Sequence, residues 1–249
     1  MWYKIMPASY ILFGASSAIA KAYIARIAEN TPTANVICIS RSSFALSQNT
    51  LQVTQLQSDY SRSSLQSISE HLRSHHIIPS QVIIFNGLLH YAQAMPEKKL
   101  EDIDETYFST LQSSNALTPI LCIQAILPLL DQQTPCTIAA LSARVGSIDD
   151  NQLGGWYSYR ASKAALNMLF KTAAIELARR AKQTRLVLFH PGTTDTELSK
   201  PFQRNVAKGK LFPPEFVAEQ LYTLLQQPEQ LTDIGQPAYI DWQGKHINW

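Results

Sequence analysis

A tyrosine and a lysine stand four residues apart in the segment Gly155-Trp-Tyr-Ser-Tyr159-Arg-Ala-Ser-Lys163. Apolar or small residues follow at helical spacing, at Ala161, Ala165, Met168, Leu169 and Thr172. Because residues four apart share one face of a helix, the Tyr159 phenol and the Lys163 ammonium are predicted neighbours. An unperturbed tyrosine titrates near ~10, and a neighbouring cation lowers that pKa toward neutrality. The pair therefore predicts a tyrosine that gives a proton to a carbonyl oxygen, although an isolated Tyr–Lys pair on a surface helix usually has no function.

The composition favours one globular domain. The chain has 249 residues, of which 45% are hydrophobic and 16% charged, and its formal net charge is +2. A chain of this length buries one good-sized core, so we expect a single domain over residues 1–249. The Lys and Arg residues are scattered, and we therefore expect neither a nucleic-acid nor a membrane partner. No apolar run reaches the ~20 residues that cross a bilayer.

Three cysteines, Cys38, Cys122 and Cys136, are embedded in apolar runs. Their odd number and wide spacing match no metal-binding motif, so we predict buried thiols, no metal site and a cytoplasmic protein. The N-terminal apolar residues offer an alternative, a secretion signal. Its basic region would hold a single lysine, and its apolar core would be only the four residues Tyr10–Phe13, so we favour the cytoplasm.

Short apolar runs alternate with helical patterns along the chain. The predicted strands are Tyr10–Phe13, Val36–Ile39, Val53–Gln57, Gln81–Phe85, Cys136–Leu141, Arg185–Phe189 and Ala238–Ile240. The predicted helices are Ala18–Glu29, Leu65–Ser74, Asp104–Leu130, one from the Tyr159 segment to Lys182, and one from Pro213-Pro214 to Gln227. Strands of four to six apolar residues separated by helices are typical of a parallel sheet covered on both faces. We therefore predict an α/β fold with a Rossmann-type, doubly wound sheet of about seven strands.

The turn after the first strand reads Gly14-Ala-Ser-Ser-Ala-Ile-Ala20. Sheets of this kind bind ligands beyond the carboxyl ends of their strands, and helix N–H groups in such a turn hold a pyrophosphate. The glycine fingerprint is incomplete, because Ala18 and Ala20 stand where two further glycines are expected. Phosphate binding and a plain strand–helix connection are therefore both open at this turn.

A degraded nucleophile elbow of a hydrolase is a rival interpretation of the same turn. Ser16 would then be the nucleophile, and His190, which follows a late strand, would be its base. A hydrolase elbow normally follows several strands, whereas this turn is the first in the chain. The hydrolase interpretation also gives Tyr159 and Lys163 no role, so we disfavour it.

Together these motifs resemble the short-chain dehydrogenase/reductase superfamily over nearly the whole chain. Besides the Tyr159–Lys163 pair, the resembling features are the Gly14 turn, Asp59, Asn86-Gly87, Asn115, Ser142 and Pro191-Gly192. Several segments are similar to the subgroup named after C-factor, which includes small carbonyl reductases; they are Ser142–Ile148, Gly154–Lys163, His190–Thr196, Pro201-Phe202 and Asp241–Trp249. The resemblance implies a sheet order 3-2-1-4-5-6-7, a nicotinamide cofactor, and a homodimer or homotetramer.

The resemblance also implies roles for individual residues. Tyr159 would protonate the carbonyl, Lys163 would lower the pKa of Tyr159 and bind the nicotinamide ribose, and Ser142 would orient the substrate. Asn115 would hold a water that connects Lys163 to solvent, or would be a structural residue in a kinked helix. Asp59 would meet the adenine, or cap a helix. The cofactor-binding residues would be Gly14, Ser16, Ser17, Ile19, Arg41, Asp59, Asn86, Gly87, Tyr159, Lys163, Pro191, Gly192, Thr194 and Thr196.

The chain departs from the family pattern at the substrate-orienting serine. That serine usually stands about three residues before a glycine, and counting back from Gly146 reaches Ala143 rather than Ser142. Either the loop is shifted by one residue or another group holds the carbonyl. With the missing glycines at Ala18 and Ala20, this departure motivates an alternative function, a nucleotide-binding regulatory or signalling protein with little or no turnover.

The cofactor preference follows from the end of the second predicted strand. An NAD-selective site needs an acidic residue about 20 residues beyond the glycine turn, and the chain has no Asp or Glu between Glu29 and Asp59. Arg41, flanked by Ser40 and Ser42, follows the strand instead. A guanidinium binds a 2′-phosphate with charge-assisted bonds, unless this one is simply a solvated arginine. We therefore predict that NADP(H) is preferred and NAD(H) possible.

Aromatic and apolar residues near the tyrosine indicate the substrate. We predict that the pocket is shaped by Trp156, Tyr157, His90 and Leu198–Phe202, any of which could also be ordinary packing residues. The sequence thus predicts an NADPH-dependent enzyme that reduces a fairly apolar carbonyl compound, or catalyses the reverse reaction.

Overall fold

The computed structural model describes residues 7–46 and 51–249, and its centre is a parallel sheet. In chain order the strands are β1 Ser9–Phe13, β2 Asn35–Ser40, β3 Gln52–Gln57, β4 Gln81–Ile84, β5 Cys136–Leu141, β6 Thr184–His190, β7 Thr193–Thr194, β8 Leu211–Phe212 and β9 Ala238–Asp241. Seven of these form the sheet in the order β3-β2-β1-β4-β5-β6-β9, with every neighbouring pair parallel. The predicted fold and sheet order are confirmed. The predicted domain span also includes residues 1–6 and 47–50, which lie outside the described ranges.

Helices cover both faces of the sheet. They are α1 Ala18–Asn30, α2 Arg62–Ser74, α3 Glu105–Gln112, α4 Thr118–Ile126, α5 Tyr157–Arg180 and α6 Pro214–Leu224. One apolar cluster joins the sheet to α1 and α6, and a second joins its other face to α2, α4 and α5. Side chains of one strand alternate between the two clusters, as Leu188 and Phe189 do, so a strand buried on both faces is apolar throughout. None of the helices in the described ranges has the length and hydropathy of a bilayer-spanning segment.

The segment predicted as one helix from Asp104 to Leu130 is interrupted in the structure. Between α3 and α4 the chain makes a π-helical turn over Ser113–Leu117, and a 3₁₀ turn over Leu127–Leu129 follows α4. The single-helix prediction was wrong here, and Pro119 gives a physical reason, because it lacks the N–H that would bond the carbonyl four residues earlier. The π turn places Asn115 in the interior with no solvent exposure.

Helix α5 buries one face and exposes the other. Its buried residues include Tyr159, Lys163, Leu166 and Phe170. Met168, which belonged to the predicted apolar series, is 66% exposed, so that series does not coincide with the buried face. The three cysteines are buried free thiols, as predicted, and burial raises the pKa of the Cys38 thiol to about 12.

Candidate active site

A cavity of about 1100 Å³ opens at the carboxyl edge of the sheet. Most of the predicted site residues line it: Ser16, Ser17, Ile19, Asn86, Gly87, Ser142, Tyr159, Lys163, Pro191, Gly192, Thr194 and Thr196. They come from the segments that follow β1, β4, β5 and β6. Parallel strands all end at one edge, which brings residues from distant parts of the chain to one site. Four predicted residues, Gly14, Arg41, Asp59 and Asn115, lie outside the lining.

Gly14 holds the first turn against the fourth strand. Its φ is +69°, and a Cβ there would lie 2.9 Å from the Asn86 backbone nitrogen, so a larger residue would be strained and would clash. The Gly14 amide donates to the Tyr60 hydroxyl at 2.8 Å, and that hydroxyl donates to the Ile39 carbonyl at 3.0 Å. The turn is therefore tied to both neighbouring strands, and Tyr60, which sequence reasoning missed, is one of the ties.

The N-terminus of α1 faces the cavity. Ser17 is its N-cap and accepts a hydrogen bond from the Ala20 amide at 3.2 Å. Ala18 and Ile19 line the cavity, and their amides belong to the first turn, where an α-helix has no acceptor for its own N–H groups. Free amides and the positive end of a helix dipole favour an anion at this position. Ala18 and Ala20 therefore do not remove the features that a pyrophosphate needs.

Arg41 is exposed and directly follows β2 beside this turn. The Ala15 amide donates to the Ile39 carbonyl at 3.2 Å, which fixes the end of β2 against the start of the turn. Burial raises the pKa of the Tyr60 phenol, and the positive charge of Arg41 acts in the opposite direction. The guanidinium therefore acts electrostatically on the hydroxyl that accepts from the Gly14 amide.

Asp59 is exposed, and its carboxylate is engaged at the start of α2. It accepts a hydrogen bond from the Ser61 amide at 2.8 Å, and bonds from Ser61 lower its pKa. Ser61 is itself the N-cap of α2. Asp59 therefore takes part in capping α2, which we gave as an alternative to its role at the adenine. Its contact with an adenine stays a prediction.

Three buried polar atoms at the cavity have no hydrogen-bond partner among residues 7–46 and 51–249. They are Asn86 Oδ1, His190 Nδ1 and Thr194 Oγ1. Leaving a buried polar atom unpaired costs about 1–3 kcal/mol, and a polar ligand bound in the cavity would supply partners for these three. Asn86 and Thr194 were predicted cofactor contacts, and the residues present fit a large polar ligand spanning this cavity.

Tyr159 and Lys163 lie together on α5 at the cavity. The Lys163 Nζ atom is 5.8 Å from the centre of the Tyr159 ring and donates to the Leu141 carbonyl at 2.9 Å. Burial, with smaller effects from Tyr107 and Tyr239, raises the pKa of Tyr159. Burial also lowers the pKa of Lys163 to about 8. The direction is opposite to the predicted lowering of the tyrosine pKa, because burial favours the neutral phenol, which stays protonated at neutral pH.

Asn115 joins the loop after β4 to α5. Its Oδ1 atom accepts from the Leu88 amide at 2.7 Å, while its Nδ2 atom donates to the Leu88 carbonyl at 2.7 Å and to the Ser162 hydroxyl at 3.0 Å. Gly87 lies beside both Lys163 and Asn115, because a Cβ added to it would be 3.9 Å from Lys163 Nζ and 4.0 Å from Asn115 Oδ1. Asn115 therefore has the structural role that we gave as an alternative, because it bonds the loop to the helix. A relay from Lys163 to solvent through a water held by Asn115 stays a prediction.

The Ser142 hydroxyl is buried and donates to Asn167 Oδ1 at 2.7 Å. Asn167 Nδ2 in turn donates to the Gly146 carbonyl, and a Cβ on Gly146 would lie 2.8 Å from the Lys163 Cβ. Ala143, one residue further, also lines the cavity and packs in the same apolar cluster as Tyr159. Sequence reasoning missed Asn167, because nothing local marks a residue that meets its partner across 25 positions.

An apolar wall stands beside Tyr159. The Trp156 ring makes an edge contact with the Tyr159 ring at 6.0 Å between centres and lies 4.9 Å from the Phe202 ring. Further lining residues are Leu89, Met95, Val145, Leu198, Ser199 and Pro201. We predicted Tyr157 and His90 in the pocket, but neither residue lines the cavity. The His90 ring contacts the lining residue Phe202, with 6.0 Å between the ring centres.

Comparison with known proteins finds similarity in sequence and in fold. C-signal from Myxococcus xanthus is 31% identical over 150 residues, covering 60% of this chain and 83% of that protein. A Burkholderia multivorans structure, described as a short-chain dehydrogenase/reductase with bound NADP, superposes with a TM-score of 0.77 at 21% identity over 98% of this chain and all of that one. The carbonyl reductase Sniffer of D. melanogaster gives 0.79 at 18% identity, with the same two coverages. At these identities the two structures establish the fold alone.

The family model described as short chain dehydrogenase matches residues 9–207. That range includes β1 to β7, the first turn, and the helix that carries Tyr159 and Lys163. The chain therefore belongs to the short-chain dehydrogenase family of oxidoreductases.

Proposed function

We propose that this protein is an NADPH-dependent reductase of apolar carbonyl compounds, with Tyr159 as the proton donor. The observation that carries the proposal is a buried phenol beside a buried lysine, in a cavity that also holds a helix N-terminus and unpaired polar atoms. A small-molecule substrate and a nicotinamide cofactor are what the family implies.

The residues present fit the cofactor in three places. Free amides at the start of α1 suit the pyrophosphate, Arg41 suits a 2′-phosphate, and Asn86 and Thr194 offer unpaired polar atoms. When bound, the cofactor supplies the hydride. Structures that carry NADP exist in the same fold, as in the Burkholderia multivorans protein, which supports the choice of NADP.

The chain's own residues would handle the proton and exclude water. Tyr159 donates its phenolic proton to the carbonyl oxygen as negative charge develops there, and the Lys163 ammonium stabilises the phenolate that results. Trp156 and Phe202 cover the substrate on one side and lower the local dielectric, which strengthens both interactions. A large apolar wall favours a substrate with an aromatic or branched body.

A screen of carbonyl compounds with NADPH tests the proposed function. We expect oxidation of NADPH, followed by its absorbance, with aryl or branched ketones and aldehydes, and slower turnover of small polar ones. If tight NADPH binding occurs without turnover of any member of the screen, the alternative of a regulatory or signalling protein takes its place. The similarity to a protein named C-signal is the observation that keeps this alternative.

The role of Ser142 is part of the proposal and has its own test. We expect Ser142→Ala to lower kcat more than tenfold, because the loss of one positioned donor costs about 2.7–4 kcal/mol. Adding Ala143→Ser to that variant moves the hydroxyl one residue along the loop. Recovery of kcat in the double variant would show that a hydroxyl at position 143 can orient the substrate, whereas an unimpaired Ser142→Ala enzyme would remove Ser142 from the mechanism.

The pH dependence of reduction reports on Lys163. Its pKa of about 8 means that the ammonium is present below pH 8 and is lost above it. Since the pKa of Tyr159 is raised, the phenol stays protonated over this range, and we expect kcat for reduction to fall above about pH 8. Lys163→Arg keeps its charge at all these pH values, so this variant should be slower but lack the decline. An identical decline in both enzymes would exclude Lys163 as its source.

We further propose that the protein acts in the cytoplasm as a homodimer or homotetramer. Three buried free thiols suit a reducing compartment, and the subunit number is expected from the family resemblance. Light scattering on the purified protein measures the subunit number directly, and a monomeric mass would contradict this part.

A further inference from the structure

Glu97 is a buried carboxylate in the loop that follows β4. Its residue is 2% exposed, and the only other buried acidic residue in the described ranges is Asp241. Asp241 is paired with Arg144 at 3.3 Å, whereas no Lys or Arg of the described residues lies within 4.0 Å of the Glu97 carboxylate. A buried charge without an ionic partner is costly unless hydrogen bonds replace its hydration.

Those hydrogen bonds come from the start of α5. The Ser158 amide lies 3.2 Å from each Glu97 carboxylate oxygen, and the Ser158 hydroxyl also donates to Oε1. The Trp156 amide donates to the Glu97 carbonyl at 2.6 Å. Both the side chain and the backbone of one loop residue therefore bind the first turn of the helix that carries Tyr159.

Helix α5 has no side-chain cap of its own. Its N-cap residue is Trp156, whose φ of +54° and ψ of 41° are left-handed and whose indole makes no capping bond. Caps normally supply an oxygen to the amides of the first turn, and a negative charge is favoured at the positive end of the helix dipole. Glu97 supplies the acceptor oxygen and the negative charge, although it lies 61 residues away along the chain.

The position of this cap connects it to catalysis. Ser158, which Glu97 holds, immediately precedes Tyr159, and the flanking residues Pro96 and Lys98 line the cavity. Burial raises the pKa of Tyr107, and the Glu97 charge adds to that rise, so the carboxylate acts electrostatically in the same cluster that contains Tyr159. We propose that Glu97 is a positioning residue that caps α5 from outside the helix and fixes the Tyr159 hydroxyl for proton transfer. This inference rests on the proposed function of Tyr159.

Hydrogen exchange tests the cap independently of any substrate. We expect Glu97→Ala to increase amide exchange in a peptide covering residues 155–162 at least tenfold, and Glu97→Gln, which keeps one acceptor, to increase it less. Glu101→Ala removes an exposed carboxylate from the same loop and should leave exchange unchanged. Unchanged exchange in the Gln and Ala variants, or a uniform rise over the whole chain, would overturn the proposal. If Glu97→Ala does not fold, the Gln variant decides.

Kinetics tests the consequence for the proton. At temperatures where every variant is folded, we expect Glu97→Gln to lower kcat about fivefold to tenfold and to enlarge the solvent deuterium isotope effect, with cofactor affinity unchanged. A role in stability alone would lower the melting temperature but move neither kcat nor the isotope effect. If the parent enzyme reduces no carbonyl compound, the proposed function fails, while the exchange pattern still tells whether Glu97 caps α5.

Discussion

Tyr159→Phe is expected to lower kcat for carbonyl reduction about 10²–10⁴-fold, the contribution of a positioned general acid. The substitution removes the transferable proton and little else. The residue is buried, with 8% exposure, and its ring packs against Trp156, so the phenylalanine ring should occupy the same space. We therefore expect the free energy of unfolding and the affinity for NADPH to change little.

Tyr157→Phe is the matched control for this experiment. Tyr157 is in the same turn of α5 but does not line the cavity, so the same chemical change there should leave kcat unaltered. Stopped-flow measurement of NADPH oxidation at saturating substrate, with cofactor affinity from fluorescence titration, gives both quantities. A Tyr159→Phe enzyme with parental kcat would remove Tyr159 from the mechanism.

Arg41→Ala is expected to weaken NADPH binding about ten- to a hundredfold and to leave NADH binding almost unchanged. One hydrogen bond to a charged group contributes roughly 1.5–3 kcal/mol, and only NADPH carries the 2′-phosphate. Arg41 is exposed at the end of β2, without an ion-pair partner among the described residues, and can therefore turn toward a phosphate. In the parent protein NADPH should bind more tightly than NADH.

Arg73→Ala gives the control for charge alone. Arg73 is exposed in the last turn of α2 and does not line the cavity, so the variant has the same net charge as Arg41→Ala without touching the site. Calorimetric titration of both cofactors into the three proteins separates the effects. Equal cofactor affinities in the parent, or equal losses for both cofactors in Arg41→Ala, would exclude Arg41 as the 2′-phosphate ligand.

The sequence alone predicted the order of strands and helices and the edge of the sheet where the site lies. Apolar runs and helical spacing are local properties, and they specify which residues are buried on a strand or share a helix face. The proximity of Tyr159 and Lys163 is of this kind, because a separation of four residues on one helix needs no tertiary contact. The segment before β5 shows the limit, since periodicity predicted one long helix, whereas the structure has a π turn in which Asn115 bonds the backbone of Leu88.

Tertiary structure alone decided how the site residues are paired and charged. The spacing of Tyr159 and Lys163 predicted a lowered tyrosine pKa, whereas burial in the folded protein raises it. Ser142 meets Asn167, and Glu97 meets Ser158, across separations that no periodicity marks. Desolvation and hydrogen bonding depend on everything that surrounds a group in space, whereas sequence pattern reports only its neighbours along the chain. For that reason the spacing of Tyr159 and Lys163 predicted the chemistry of the pair, whereas only the fold determined its protonation and its positioning.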